Sequence, residues 1–342
     1  MTGFAVKHLA SGGVITNYHC ASRCGHCLYN CGPHRPGDFL VAAMAEKIFR
    51  IIIQHGCRSV HIGGGEPLLQ PRKLEAVLEA ARTAGMGIDY VETSSAWFVD
   101  SEKALSVLQS LRRAGLRTLL VSISPFHNAA IPYARVTGVI NACRQSGIQV
   151  LPWVNGFVRD LTRLDTDRPH DMAEFEAVFG PDYLSRIPDR YWIHLGGRAL
   201  QTFRPVYPQH PLAHILENSP PNCARALGDT SHFHVDLYGN YIPGLCSGLA
   251  VAMEDLGRPL GAAAYPLLHR LATAGIRGLY RLAVQDCGFA PQRSAYLNHC
   301  DVCSEIRSFL AQSDNGRYRE LAPQGHYIDD QQSAPPSYGS LP

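Results

Sequence analysis

A chain of 342 residues can bury a large core, and its length predicts about two domains. Its 31 Lys and Arg against 29 Asp and Glu give a formal net charge of +2, so composition supports neither nucleic acid nor an anionic membrane as a partner. The sequence has no long apolar run and no apolar core of a signal peptide near its start, so we expect a cytoplasmic protein. Eleven cysteines without an export signal favour metal ligation over a disulfide framework.

Apolar patterns predict strands alternating with helices over the first two hundred residues. The predicted strands cover 13–18, 59–62, 88–92, 118–123, 148–154 and 191–195. The predicted helices cover 39–54 (with Asp38 as its cap), 68–84, 104–114, 136–146 and 171–179. This alternation predicts βαβ units and a parallel α/β sheet, with functional residues at the carboxyl ends of the strands.

The pattern changes after Gly196, where prolines interrupt the chain and cysteines return. A hairpin is predicted over 232–245, with Gly239 and Asn240 supplying the turn. Helices are predicted at about 262–273 and 278–284, and a further one begins at Cys300 and ends near 311. We therefore predict a parallel α/β domain over 1–200, a small α+β extension over 201–311 and a flexible polar tail over 312–342.

Three cysteines, Cys20, Cys24 and Cys27, lie within eight residues near the start of the chain. Thiolates at this spacing can converge on one soft metal centre. A structural zinc normally takes four protein ligands. Three therefore favour an iron–sulfur cluster with one iron left open, and a zinc loop or chance clustering is the alternative.

Gly63-Gly64-Gly65-Glu66-Pro67 directly follows the second predicted strand. Glycines there allow close approach of the backbone to a ligand, and the glutamate offers a carboxylate to an ammonium group. The CxxxCxxC loop with His26 before its last cysteine, followed by this GGE motif, resembles the radical SAM superfamily. The resemblance implies a partial (β/α)6 TIM-like barrel and a [4Fe–4S] cluster, held by the three cysteines, whose open iron binds S-adenosylmethionine (SAM).

In that family, the ends of the next strands contact the ribose and methionyl groups of SAM. The expected SAM-binding residues are His26, Gly64, Gly65, Glu66, Thr93, Ser95, Ser122 and Ser124. Ser and Thr at these positions can also serve only as helix caps. No catalytic residue is assigned; the candidates that face substrate are Cys31, His127 and Arg198, against a spare loop cysteine and a solvated arginine.

A second set of cysteines lies in the predicted extension. Cys300 and Cys303 form a CxxC pair, and Cys223 and Cys246 flank the hairpin. This arrangement resembles the twitch or SPASM-like extension of radical SAM enzymes, although a full SPASM extension carries about seven cysteines for two clusters. The resemblance implies one auxiliary [4Fe–4S] cluster held by Cys223, Cys246, Cys300 and Cys303, with Cys287 as a substitute ligand. Structural zinc is the alternative.

Other metal-ligand residue types receive structural interpretations. His232 and His234 alternate along one strand, a pattern more typical of a packed or solvent face than of a metal pair. Cys57 and Cys143 lie in apolar segments and are expected in the core.

By resemblance, reduction of SAM breaks a carbon–sulfur bond and yields methionine and a 5′-deoxyadenosyl radical, which abstracts hydrogen from the substrate. We expect a small molecule such as a sugar, nucleotide or natural product, since no leader-peptide-binding module precedes the cluster loop, and a flavodoxin- or ferredoxin-type electron donor. The auxiliary cluster then accepts an electron, anchors the substrate or donates sulfur. The alternatives are a maturase acting on a ribosomally made peptide and, in another class, a zinc-structured binding protein without catalysis.

Overall fold

The computed structural model describes residues 4–313 and 316–328. The strands are β1 Gly12–Ile15, β2 Ser59–Gly63, β3 Gly87–Thr93, β4 Thr118–Ser122, β5 Gln149–Trp153, β6 His210–Pro211, β7 Phe233–Asp236, β8 Asn240–Ile242, β9 Val251–Ala252 and β10 Ala295–Tyr296. The α-helices are α1 Ala42–Gln54, α2 Pro71–Ala84, α3 Ser101–Ala114, α4 Pro125–Asn128, α5 Tyr133–Ser146, α6 Val158–Leu161, α7 Met172–Phe179, α8 Tyr183–Arg186, α9 Ala199–Phe203, α10 Leu212–Asn218, α11 Ala224–Leu227, α12 Pro266–Cys287 and α13 His299–Ser313. Short 3₁₀ turns occupy Pro67–Leu69, Asn155–Phe157, Pro243–Leu245, Met253–Asp255 and Gln324–His326.

Eight strands form one sheet in the order β5-β4-β3-β2-β1-β7-β8-β9. The pairs from β5 to β1, and that of β1 with β7, are parallel, whereas β7, β8 and β9 pair antiparallel. The predicted α/β class with a mainly parallel sheet is confirmed. Among the described residues the sheet does not close into a barrel, because β5 and β9 remain at its two edges.

The predicted sixth barrel strand, at 191–195, is wrong. This segment has no strand pairing, and β5, beside which a sixth parallel strand would add, remains at the edge of the sheet. Tyr191 turns its ring towards His26 and Phe157, while His194 lines a cavity in the C-terminal part of the chain. The segment therefore packs against the ring of His26 and lines the C-terminal cavity instead of extending the sheet.

Helices α1, α2, α3 and α5 pack beside one another in that order. The apolar side of α1, including Ile48, Phe49 and Ile52, is buried in the core together with Val60 and Ile62 of β2. The predicted Asp38 cap is wrong: α1 begins after Val41 without a side-chain cap, and Asp38 accepts a hydrogen bond from the Tyr238 hydroxyl at 2.9 Å.

The C-terminal part contains the predicted hairpin, which is confirmed as β7 and β8. The two predicted helices at 262–273 and 278–284 are parts of one element, α12, interrupted at Gly275. Gly275 has φ +59°, and a Cβ there would lie 3.1 Å from the Pro220 carbonyl oxygen, so the interruption needs a residue without a side chain.

Part of the segment predicted as a flexible tail is packed. Residues 316–328 lie against the C-terminal part, with Tyr318, Leu321 and Tyr327 buried. The Glu320 carboxylate accepts a hydrogen bond from the backbone N–H of Leu267 at 2.7 Å, at the start of α12. The rest of the predicted tail, 314–315 and 329–342, lies outside the described residues.

Candidate active site

The cysteine loop follows β1 at the carboxyl end of the sheet. Cys20, Cys24 and Cys27 line one cavity of about 110 Å³, so the structure brings the three predicted cluster ligands together. Other predicted residues that line the cavity are His26, Gly64, Gly65, Thr93, Ser122, His127, Cys31 and Arg198. The wall also includes Ser22, Pro67, Glu92 and Ser94, which were not among the predicted SAM contacts.

Arg198 holds the cysteine loop in shape. Its Nε donates to the Cys24 carbonyl oxygen at 3.0 Å, and a terminal guanidinium nitrogen donates to the Cys31 carbonyl. Its backbone N–H donates to the Cys27 carbonyl at 3.1 Å. These contacts give Arg198 a positioning role on the loop. Arg198 also lines the cavity, which is compatible with the substrate contact predicted from the sequence.

Cys31 lies beside Cys27, so four thiols face the same cavity. The Cys31 backbone N–H points at the Cys27 sulfur at 3.4 Å. A hydrogen bond from the Cys31 thiol lowers the pKa of Cys27, whereas burial raises the pKa of Cys20 to about 12. Cys31 therefore belongs to the wall of the same cavity as the three predicted cluster ligands.

Glu66 is fully buried, and its carboxylate is occupied by donors from the chain itself. Thr93 Oγ1 donates at 3.0 Å, the Ser94 N–H at 2.7 Å and the Ser94 hydroxyl at 2.5 Å. The Leu68 N–H donates at 3.1 Å. Glu66 itself does not line the cavity; it ties the glycine turn to the end of β3, which places Thr93 and Ser94 in the wall.

Gly64 and Gly65 pack the turn against the chain that leads into the cysteine loop. Gly65 N–H donates to the Asn17 carbonyl at 2.7 Å, and Glu66 N–H donates to the His19 carbonyl at 3.0 Å. A Cβ on Gly65 would lie 2.0 Å from the His19 carbonyl oxygen. The glycines are thus required by this close backbone approach, and they also line the cavity.

The ends of β3 and β4 divide the predicted SAM contacts into two groups. Thr93 and Ser122 reach the cavity, whereas Ser95 and Ser124 are not in its wall. Ser124 is the N-cap of α4, as the helix-cap alternative expected, and its hydroxyl bonds the His127 ring at 2.7 Å. Ser94 was missed because the strand alternation gives no sign that the chain turns after Thr93.

Two histidines close the cavity on the side of α4. The His26 ring packs 4.7 Å from that of Phe126 and 5.0 Å from that of His127. Burial lowers the pKa of both histidines, that of His127 to about 4, so both rings are neutral near pH 7. They offer an uncharged aromatic wall next to the cysteines.

A second cavity, of about 70 Å³, lies in the C-terminal part. Cys223, Cys246, Cys300 and Cys303 all line it, although they come from three separate segments. Cys287, the suggested substitute, is not in this wall; its thiol contacts the Tyr318 hydroxyl at 3.4 Å. The structure thus brings together the four preferred ligands and leaves the substitute apart.

Arg307 is a buried cation in the wall of the second cavity. It donates to the Ser247 carbonyl at 2.7 Å and to the Tyr327 hydroxyl at 3.1 Å. Burial raises the pKa of Cys246 to about 12, and the Arg307 charge acts against that rise. Arg307 was not singled out from the sequence, although its spacing of four residues from Cys303 on one helix places the two on the same face.

Residues 14–158 match the family described as Radical SAM superfamily. No curated protein matches the chain. Among the described residues, no helix combines the length and the apolar character that a membrane span requires.

Several solved structures resemble the chain at low identity. SuiB of Streptococcus suis is 12% identical with a TM-score of 0.32, covering 70% of this chain and 61% of its own. The anSMEcpe structure with bound AdoMet is 11% identical with a TM-score of 0.42, covering 88% and 97%. HemN of Escherichia coli is 15% identical with a TM-score of 0.29, covering 42% and 37%. The chain therefore spans less than two thirds of SuiB.

Proposed function

We propose that the chain is a radical SAM enzyme, with residues 14–158 as its radical SAM domain, and that it abstracts hydrogen from a small-molecule substrate with the help of an auxiliary [4Fe–4S] cluster. Cys20, Cys24 and Cys27 hold the first cluster. When bound, this cluster supplies one electron that breaks a carbon–sulfur bond of SAM, giving methionine and a 5′-deoxyadenosyl radical that takes a hydrogen atom from the substrate. A flavodoxin- or ferredoxin-type protein is the proposed electron donor.

The residues of the first cavity suit this chemistry. Cys20 and Cys24 are buried, and the neutral rings of His26 and His127 line the same cavity, which limits the access of water. Thr93 and Ser122 supply hydroxyls that can bind the polar groups of SAM. Arg198 binds the carbonyls of Cys24 and Cys31 and so helps to position the loop that carries the three thiols.

The observation that carries the auxiliary cluster is the convergence of four cysteines from three segments on one cavity beside Arg307. A [4Fe–4S] centre with four thiolates is anionic, and a buried guanidinium offsets that charge. Four cysteine ligands leave no iron open for the substrate. Electron acceptance or sulfur donation is therefore favoured over anchoring of the substrate.

A polar cavity of about 460 Å³ supports a small polar substrate. It shares Arg198 with the first cysteine cavity, and it shares Gly197 and Leu200 with the second. Arg204 and Arg293 flank Asp301 in its wall, at 3.4 and 3.0 Å. Charged donors and acceptors of this kind suit hydroxyl, phosphate or carboxylate groups of a sugar, nucleotide or similar metabolite.

The test uses anaerobically reconstituted protein. The parent should be brown, with about eight iron atoms per chain, and dithionite with SAM should yield 5′-deoxyadenosine. Replacing Cys20, Cys24 and Cys27 together by Ala should abolish that product. Replacing Cys300 and Cys303 should remove about half of the iron. The variant should still cleave SAM, but this cleavage should be uncoupled from turnover of the substrate.

Cys143→Ala is the matched control, because Cys143 is a buried thiol that lines neither cysteine cavity. It should retain all iron and all SAM cleavage. Colourless parent protein containing zinc would favour the binding-protein alternative. Formation of 5′-deoxyadenosine by the triple variant would rule out the first cluster site, and unchanged iron without Cys300 and Cys303 would rule out the second.

A further inference from the structure

Three histidines outside both cysteine cavities form a third cluster of ligand atoms. We propose that His61, His232 and His234 bind a transition-metal ion, with Zn²⁺ as the probe of choice. One ligand atom from each residue lies within 4.8 Å of the other two. His61 Nε2 and His234 Nε2 are 3.0 Å apart. The sequence pattern of His232 and His234 predicted a packed or solvent face, and it missed His61 because that residue lies on a distant strand.

The strand order of the sheet creates the cluster. In the parallel register, His61 of β2 is the partner of Gly13 of β1, and Gly13 is in turn the partner of His234 of β7. Residues in register on parallel strands face the same side of the sheet. A Cβ on Gly13 would lie 2.2 Å from His61 Nε2. The glycine thus leaves the space over β1 in which the two imidazoles meet.

The other nitrogen of the central ring is already engaged. His234 Nδ1 lies 2.8 Å from the Tyr29 hydroxyl. The His61 ring also bonds the backbone of Gly12. Histidines that bind metals usually use their second nitrogen in this way, which fixes the ring and directs the first nitrogen at the ion. Tyr29 and the Gly12 backbone therefore hold the rings in an orientation suited to ligation.

The chemistry of the donors selects the class of ion. Imidazole nitrogens suit Zn²⁺, Cu²⁺ and Ni²⁺, and Zn–N bonds are about 2.0–2.1 Å long. Glu92 Oε1 lies 3.9 Å from His61 Nε2 and places a carboxyl oxygen at the edge of the cluster. His232 is exposed, which gives the ion access from solvent.

The experiment measures zinc on protein whose cysteine sites already carry iron–sulfur clusters. Reconstituted protein is treated with a chelator, given one equivalent of Zn²⁺ and desalted, all without oxygen. We expect one zinc per chain, and X-ray absorption at the zinc edge should give nitrogen neighbours at about 2.0–2.1 Å without sulfur at about 2.3 Å. His232→Ala should lose the zinc. Because His232 is exposed, we expect this substitution to leave the fold intact.

His214→Ala is the matched control, since His214 is another exposed histidine with a histidine neighbour, its ring lying 5.1 Å from that of His210. It should keep the zinc. Tyr29→Phe should weaken zinc binding about tenfold, because it removes the group that orients His234. A sulfur shell around the zinc, zinc retained by His232→Ala, or no zinc on the parent would each overturn the site.

Discussion

Replacing Arg198 by Met should disorder the cysteine loop, and weaker retention of the first cluster should be its main effect, not a loss of substrate binding. The substitution removes two guanidinium hydrogen bonds, to the carbonyls of Cys24 and Cys31, and keeps the length of the side chain. A hydrogen bond from a charged group contributes about 1.5–3 kcal/mol, and losses at neighbouring groups are not additive. We expect the ordered loop to lose about 3 kcal/mol of stabilisation in total. This free energy corresponds to about a hundredfold weaker retention of the first cluster.

The assay is iron per chain after gel filtration without oxygen, in a background that lacks Cys300 and Cys303 so that the first site alone contributes. The change in the electron paramagnetic resonance signal on adding SAM is the second readout. Arg190→Met is the control, because Arg190 makes comparable bonds to Asp160 and to a backbone carbonyl away from the loop. If Arg198→Met kept its iron and its 5′-deoxyadenosine formation but lost turnover of a substrate, Arg198 would be a substrate contact and the positioning role would be wrong.

Three further predictions concern single residues. Gly65→Ala should lower the melting temperature by about 5 °C and weaken the response of the first cluster to SAM, because its Cβ would meet the His19 carbonyl at 2.0 Å; Gly37→Ala, with open space around it, should change neither. Cys287→Ser should leave iron content unchanged, since that thiol lies outside the second cavity; loss of about four iron atoms would make it a ligand. Burial raises the pKa of Glu320 above 4.5, so its neutral form stabilises the fold at acid pH and this contribution is lost as pH rises through the folded pKa. In urea unfolding, Glu320→Gln should therefore have a larger free energy of unfolding than the parent at pH 7.5, and this difference should shrink towards pH 4.5. A difference that grows towards pH 4.5 would contradict the prediction.

Local spacing allowed much of the candidate site to be predicted from the sequence. Cys20, Cys24 and Cys27 converge because a short loop cannot separate them, and Cys300 and Cys303 share a face because they are three residues apart on a helix. The strands β1 to β5 followed from apolar runs separated by helical periods. These features depend on the spacing of residues that are close together in the chain, and this spacing can be read from the sequence.

Features that depend on distant pairing could not be predicted in this way. The carboxylate of Glu66 looked available to a ligand, but its donors Thr93 and Ser94 come from the next strand. The meeting of His61 with His234 requires that β7 pair beside β1, across 173 residues of sequence. The apolar residues at 191–195 suggested a strand, yet the segment does not add to the free edge of the sheet at β5, and His194 and Leu195 line the second cysteine cavity instead.

The pairing of β7 with β1 links the two halves of the chain. Because β7 pairs in parallel with β1, the C-terminal part continues the sheet that carries the cysteine loop. The segment before α9 completes the link: Arg198 lines the first cavity, and Gly197 lines the second. Gly197 has φ +53°, and a Cβ there would lie 2.3 Å from the Leu28 carbonyl oxygen next to the loop. Two adjacent residues thus lie in the walls of the two cysteine cavities, so the backbone that packs against the cysteine loop also forms part of the second cavity.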